Sequence, residues 1–206
     1  MYDSKPESTQ FAADSPESAG IAEIFSGLLV DYDPLESTRS IEAISDVVIN
    51  GKVDDVHSGP VFGRPDDEFG DITTMVITIN DVTVVSGELA SGNNGNVYLN
   101  VVALNGADRS DFLEAVHRDT ELAFFALHYQ GHGGMGVINE ADGRPQAQPL
   151  YISAHPQALE IKTIFSDPSR SDLSGIVWPF TGTVLPTDLV EALPGGSAIG
   201  ADTGVE

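Results

Sequence analysis

The sequence has no cysteine and only nine basic residues, against 32 acidic residues, in a chain of 206 residues. Without cysteine, the chain has no disulfide framework, no thiol nucleophile and no cysteine metal site. The formal net charge of −23 argues against nucleic-acid binding, because contact with phosphates needs a concentrated basic surface. The lysines are scattered at Lys5, Lys52 and Lys162, so no polybasic segment is available to bind an anionic membrane.

Long hydrophobic runs are missing as well. No segment approaches the roughly 20 apolar residues of a membrane-spanning helix, and residues 1–20 lack the basic and apolar regions of a signal peptide. These residues are rich in serine, proline and glutamate, which predicts a flexible acidic tether before a single domain over residues 21–206. A tether of this kind is what remains after a signal segment or a lipid-bearing N-terminus has been removed.

Two long runs of the chain have the periodicity of β-strands. Residues 45–56 place Val47 and Ile49 on one parity, and residues 72–87 alternate in the same way with many β-branched residues. We predict that the two runs pair as a long β-hairpin. Gly51 lies where a strongly bent strand requires a residue without a side chain.

Shorter patterns predict the other elements. Two helices begin near residues that can cap them: residues 35–46 with Ser37 or Thr38, and residues 108–119 with Ser110 or Asp111. A short C-terminal helix is predicted over residues 187–195. Further strands are predicted after the Asn94-Gly95 turn: residues 96–104, 121–129, 149–161 with a bend at Pro156, and 175–182.

The order of these elements predicts a mainly β protein. Five or six strands, with one helix before strand 1 and another before strand 4, fit a small closed or partly open barrel better than a sandwich. The nearest common architecture is the oligonucleotide- and oligosaccharide-binding (OB) barrel. We therefore expect a single OB-like barrel with peripheral helices.

Residues 35–105 resemble a family of poorly characterised exported proteins and lipoproteins of high-GC Gram-positive bacteria. The resemblance rests on a helix, a Ser-Asp-Val-Val-like opening, a Gly-x-Val step and a second long strand with a Val-x-x-Gly-like ending. The matching residues are Ser45, Asp46, Val47, Val48, Gly51, Val53, Val84, Val85 and Gly87. The resemblance implies export and an extracytoplasmic location, with a lipid anchor in the native form. These motifs carry no catalytic residue, and a cytoplasmic location is the alternative.

Two histidines in a glycine-rich stretch are candidate ligands for a transition metal. His128 and His132 are four residues apart, but Gly131, Gly133 and Gly134 cannot sustain the helix that a helical metal site requires. If the strand continues, the even spacing places both imidazoles on one side. The competing explanation is a histidine at the end of a strand that has no ligand.

An acidic loop is a candidate calcium site. Asp66, Asp67 and Asp71, with Glu68 between them, supply the hard oxygen ligands that calcium prefers. The alternating acidic spacing and the central glycine of a helix-loop-helix calcium site are absent. The competing explanation is a solvated run of charge, and no cofactor is predicted.

Aromatic residues in or beside loops are candidates for contact with a ligand. Phe62, Phe69, Trp178 and Phe180 lie outside the deep apolar runs, and aromatic side chains at the mouth of a barrel commonly hold a sugar ring or a peptide. The competing explanation is that they cap the barrel and fasten the C-terminal segment.

Two functional hypotheses follow. The first is a non-enzymatic extracytoplasmic domain that binds a protein, a peptide or a cell-envelope ligand through loops or an edge strand. The second is a metal-dependent or hydrolytic enzyme that uses His128 and His132 with nearby carboxylates. The sequence has no G-x-S-x-G elbow, no H-E-x-x-H motif and no phosphate-binding glycine loop.

Overall fold

The computed structural model describes residues 24, 33, 35, 37–63, 72–102, 108–129, 136–139, 143–167, 170–178 and 183–185. The helices described over their whole length are α1 (Thr38–Glu42) and α2 (Arg109–Ala115). The strands are β1 (Val47–Ser58), β2 (Val61–Gly63), β3 (Thr74–Gly87), β4 (Val97–Val102), β5 (Glu121–His128), β6 (Gly136–Asn139), β7 (Leu150–Ser153), β8 (Leu159–Asp167), β9 (Arg170–Trp178) and β10 (Thr183–Leu185). The predicted tether and C-terminal helix lie outside the described residues.

Five strands close into a barrel in the order β1–β3–β4–β7–β5, and β5 pairs again with β1. Neighbouring strands are antiparallel except β4 and β7, which are parallel. Counted along the chain, the barrel strands are therefore arranged first, second, third, fifth and fourth, with α2 between the third and the fourth. The predicted OB-like barrel is confirmed, and so is the predicted hairpin of β1 and β3.

Every barrel strand contributes inward-facing side chains to the interior of the barrel. Ile49, Ile77, Leu99, Phe124 and Tyr151 come one from each of the five strands, and each is 0% exposed. Burying an aliphatic or aromatic side chain of this size stabilises the fold by about 1.5–3 kcal/mol. The core therefore explains the alternation of the strand sequences.

The β1–β3 hairpin bends sharply in its middle. The pairing register shifts between Asn50 and Lys52, and a Cβ atom at Gly51 would lie 2.5 Å from Ile79 Cγ2 and 2.9 Å from the Asn80 carbonyl oxygen. Opposite the shift, Asp81 has a φ of 49°. The need for glycine at position 51 is confirmed, because any side chain there would push the two strands apart.

The sheet continues beyond the barrel along β5. Residues 122–124 of β5 pair with β8, β8 pairs with β9, and β9 pairs with β10. The predicted bend at Pro156 lies in the turn between β7 and β8, so residues 149–161 form two strands rather than one. The polar residues Arg170, Ser171 and Asp172 at the start of β9 interrupt the apolar alternation by which a strand is recognised.

The structure confirms the predicted N-cap of α1 but not that of α2. Ser37 caps α1, where its Oγ accepts a hydrogen bond from the Ser40 N–H at 3.2 Å. For α2 the predicted cap at Ser110 or Asp111 is wrong, because Asp108 is the N-cap. Asp108 accepts from the Ser110 N–H at 2.7 Å, and Asp111 Oδ2 accepts from the Asp108 N–H at 2.8 Å. Asp108, Ser110 and Asp111 can all cap a helix, and the reciprocal hydrogen bonds between Asp108 and Asp111, a capping box, make Asp108 the N-cap.

Candidate functional site

The outer face of β3 and β4 is the surface with which OB barrels commonly bind oligonucleotides and oligosaccharides. In this protein that surface is buried. Val76 is 0% exposed, Tyr98 3% and Asn100 7%. Within the described part of the chain, Asn100 Nδ2 has no hydrogen-bond partner. No open platform for a base or a sugar ring exists at these residues.

The loops on both sides of this face pack against it. β2, in the loop between β1 and β3, pairs with β6, in the loop between β5 and β7. The Phe62 and Tyr129 rings lie 5.9 Å apart, and Thr74 Oγ1 donates to the Pro60 carbonyl oxygen at 2.5 Å. A Cβ atom at Gly143 would lie 2.9 Å from Val76 Cβ. The chain itself therefore occupies the common OB binding face.

The last part of β3 offers a different surface. β4 pairs only with residues 74–79 of β3, whereas β1 pairs with β3 as far as Gly87. Among the described residues, none pairs with the outer side of residues 81–87, which we call the free edge of β3. Val84 is 41% exposed and Val85 is 38% exposed there. The structure therefore leaves a β-branched strand edge facing solvent.

A close backbone contact sets the end of this edge. Gly87 has a φ of 75°, and a Cβ atom at this position would overlap the Asp46 carbonyl oxygen. The Asp46 side chain accepts from the His128 N–H, with 2.8 Å between nitrogen and Oδ2. β3, β1 and β5 are therefore joined at one end of the barrel by Gly87, Asp46 and His128.

His128 lies half-buried at this end. Its Nδ1 atom is 3.9 Å from Asp46 Oδ2, and its ring meets the Tyr151 ring edge-on with 5.2 Å between centroids. Neither His128 Nε2 nor Ser153 Oγ has a hydrogen-bond partner in the described ranges. At 3.9 Å, the separation between Asp46 Oδ2 and His128 Nδ1 is longer than a hydrogen bond, so Asp46 holds the His128 backbone rather than its ring.

Tyr151 supports the same end of the barrel from inside. Its hydroxyl oxygen accepts from the Ala90 N–H at 2.9 Å. Burial raises the pKa of the Tyr151 phenol above its ordinary value, although the hydrogen bonds of Ala90 and Asn93 oppose this effect. The segment after β3 is therefore fastened to the core by a neutral phenol.

At the opposite end, Asp55 fastens α2 to β1. Arg109 Nη2 donates to Asp55 Oδ1 at 2.6 Å, and Arg118 Nη2 donates to Oδ2 at 2.9 Å. Partial desolvation acts to raise the pKa of Asp55, but the hydrogen bonds from Val56 and Arg109 and the charges of both arginines outweigh it and lower the pKa. Asp108 and Asp119 lie beside these arginines in the chain, so the cluster is a structural clamp with no excess positive charge.

The structure describes only some of the site residues that were predicted from the sequence. Phe62 is fully buried, His128 is at the barrel end described above, and Trp178 ends β9. The remaining candidates lie outside the described residues: Asp66, Asp67, Phe69, Asp71, His132 and Phe180. Where side chains are described, no group of three or more histidines and carboxylates is placed to hold a metal ion.

The free edge of β3 is a candidate binding surface that was not predicted from the sequence. A signal was present, since the run over residues 72–87 is much longer than the next predicted strand, over residues 96–104. An antiparallel strand that outruns its neighbour must leave one side unpaired. The valines at the end of this run contributed to the family resemblance alone.

Comparisons with protein-family models, with curated proteins and with solved structures find no match for this chain. In the part of the chain that the structure describes, no helix combines the length and the apolar character needed to cross a membrane. Function must therefore be argued from the barrel and its surfaces.

Proposed function

We propose that the protein is a non-enzymatic domain that binds a protein or a peptide at the free edge of β3. The observation that carries the proposal is the exposure of Val84 and Val85 on a strand whose outer side pairs with none of the described residues. Exposed apolar residues on a strand edge are typical of a surface that another chain covers. The burial of the common OB face supports this choice over a sugar or an oligonucleotide.

A selection experiment tests this proposal. A random peptide library is displayed on phage and selected against the full chain, and the selected peptides are mapped by amide chemical shifts. We expect the shifts to centre on residues 82–87. We expect the variant Val84→Ser/Val85→Ser to lose binding by about tenfold or more, which corresponds to about 1.4 kcal/mol.

The matched control for the selection is Ile44→Ser. Ile44 is 46% exposed and lies outside the strands, so its replacement should leave peptide binding unchanged. The proposal fails if the selected peptides bind elsewhere. It also fails if a chitin hexamer or a twelve-nucleotide thymidine strand binds the barrel while no peptide does.

The proposal includes an extracytoplasmic location with a lipid anchor in the native protein, supported by the resemblance of residues 35–105. Fractionation of source cells, followed by the intact mass of the native protein, tests it. We expect the protein in the envelope fraction, with a lipid-modified residue ahead of Tyr2. Recovery of an unmodified chain from the cytoplasmic fraction contradicts this location and leaves the binding surface to be judged separately.

A hydrolytic or metal-dependent enzyme built on His128 is the second candidate, because Asp46 lies beside its imidazole. Isothermal titration with zinc and calcium, together with hydrolysis of p-nitrophenyl acetate and p-nitrophenyl phosphate, compares the native chain with His128→Gln. We expect no difference between the two. Saturable zinc binding or hydrolysis that is lost in His128→Gln would favour the enzyme.

A further inference from the structure

The backbone of the free edge of β3 determines how a partner can bind. In an antiparallel pair, every second residue directs its N–H and C=O groups away from its neighbour. β1 uses one side of residues 81–87, and no described residue pairs with the other side. A row of backbone donors and acceptors is therefore available to a further strand.

The side chains along this edge do not protect it. Natural edge strands commonly carry lysine or proline, which discourage pairing with another chain. Residues 82–87 read Val-Thr-Val-Val-Ser-Gly and contain neither. The register shift beside Val84 and the positive φ of Asp81 bend the strand, but they leave Val84 and Val85 exposed. The edge has the composition of a segment that accepts a strand.

Charge selects among the chains that could bind. Two copies of a chain with a net charge of −23 repel each other at low salt, which disfavours pairing of two free edges. Asp46, Asp81 and Glu88 lie around the edge, and Asp81 is paired with Lys52 at 3.3 Å. The surroundings of the edge are acidic and suit a cationic partner.

We propose that the free edge of β3 binds an extended, basic segment of another protein by adding it to the sheet as a further strand. This inference rests on the proposed function and names its partner and its binding mode. The edge of seven residues spans about 24 Å at 3.4 Å per residue. The added strand therefore contains about five to seven residues, with β-branched residues on one side and lysine or arginine on the other.

The test uses the full chain and an eight-residue peptide of alternating lysine and valine. Its matched control is the same peptide with N-methyl groups on alternate backbone nitrogens, which keeps the charge and removes the N–H donors. We expect the unmodified peptide to slow hydrogen exchange of residues 82–86 about tenfold or more, and the N-methylated peptide to bind about tenfold more weakly.

Variants of the protein separate strand addition from charge attraction. Val85→Lys introduces an edge lysine, and Ile44→Lys makes the same charge change away from the strand. We expect Val85→Lys to weaken peptide binding about tenfold and Ile44→Lys to change it less than about twofold. Equal weakening by both variants would overturn the inference.

Each remaining outcome distinguishes this inference from the proposed function. If selected peptides bind at residues 82–87 whether or not they are N-methylated, the surface is correct and strand addition is wrong. If a glutamate-valine peptide binds as well as the lysine-valine peptide, the basic partner is wrong. If the N–H groups of residues 82–86 that face away from β1 already exchange slowly in the free chain, or the chain is a dimer whose dissociation exposes them, the edge has another occupant and the inference fails.

Discussion

Gly87 occupies a position at which a side chain has no room. Its φ of 75° already favours glycine, and any Cβ atom would overlap the Asp46 carbonyl oxygen. Because Asp46 also binds the His128 N–H, displacement of this backbone disturbs three strands together. A small residue thus determines where the barrel end and the free edge of β3 meet.

We predict that Gly87→Ala lowers the free energy of unfolding by about 2–4 kcal/mol, from backbone strain and the contact with Asp46. The control is Gly92→Ala, where φ is 85° and no atom lies within 4 Å of the Cβ position. It should cost only about 1–2 kcal/mol. Urea unfolding measures both values, and equal costs would show that the contact with Asp46 contributes nothing.

The buried phenol of Tyr151 predicts a loss of stability in alkali. A pKa that is raised in the folded state leaves its contribution complete below the ordinary value of 10.0, and the contribution is lost as the pH rises through the folded-state pKa. We expect the free energy of unfolding to fall above pH 10 in the native chain and to fall less steeply in Tyr151→Phe. Identical slopes between pH 10 and pH 11.5 would contradict the burial of this phenol.

At the scale of elements, the barrel is stabilised by contacts between α2 and β1 as well as by its core. Phe112 of α2 is 0% exposed within the barrel cluster, and Asp55 of β1 holds Arg109 of α2. α2 has only seven residues, too few for an isolated helix to be stable. Its tertiary contacts and its capping box are therefore what keep it helical.

We predict that Asp55→Asn lowers the free energy of unfolding at pH 7 by about 1 kcal/mol, because both arginines are exposed enough for solvent to screen the pairs. The lowered pKa of Asp55 means that this contribution is present above the ordinary value of 3.8 and is lost as the pH falls through the folded-state pKa.

The comparison for Asp55→Asn is Asp54→Asn, which removes the neighbouring carboxylate at the register shift of β1. Urea unfolding at pH 7 and at pH 3 should show the Asp55→Asn deficit at pH 7 and a smaller deficit at pH 3. A deficit that is the same at both pH values would mean that the ionised carboxylate is not the cause.

At the scale of the whole molecule, the net charge of −23 acts against compactness through self-repulsion. Added salt shortens the Debye length from about 30 Å at 0.01 M to about 10 Å at 0.1 M. We predict that the melting temperature rises by several degrees between 0.01 M and 0.5 M sodium chloride. Calorimetry measures this, and a melting temperature that falls with salt would mean that attractive ion pairs dominate.

The sequence alone was sufficient for those parts of the fold that depend on local pattern. Strand alternation identified β1 and β3, the β-branched residues supported both, and Gly51 revealed the bend between them. The cap of α1 could be narrowed to Ser37 or Thr38, because both hydroxyl residues lie at the start of the predicted helix, and Ser37 is the N-cap. These features depend on residues that are close together in the chain, so they can be predicted from the sequence.

Tertiary structure decided which strand sides are covered and which are free. Nothing local shows that the loop carrying Phe62 packs over β3 and β4, that Asp46 meets His128 across 82 residues, or that β4 stops short of the end of β3. Such contacts depend on the closure of the barrel, where residues distant in sequence compete for the same space. The acidic composition argues against nucleic-acid binding from the sequence alone, whereas the free edge of β3 became visible only once its neighbours were in place.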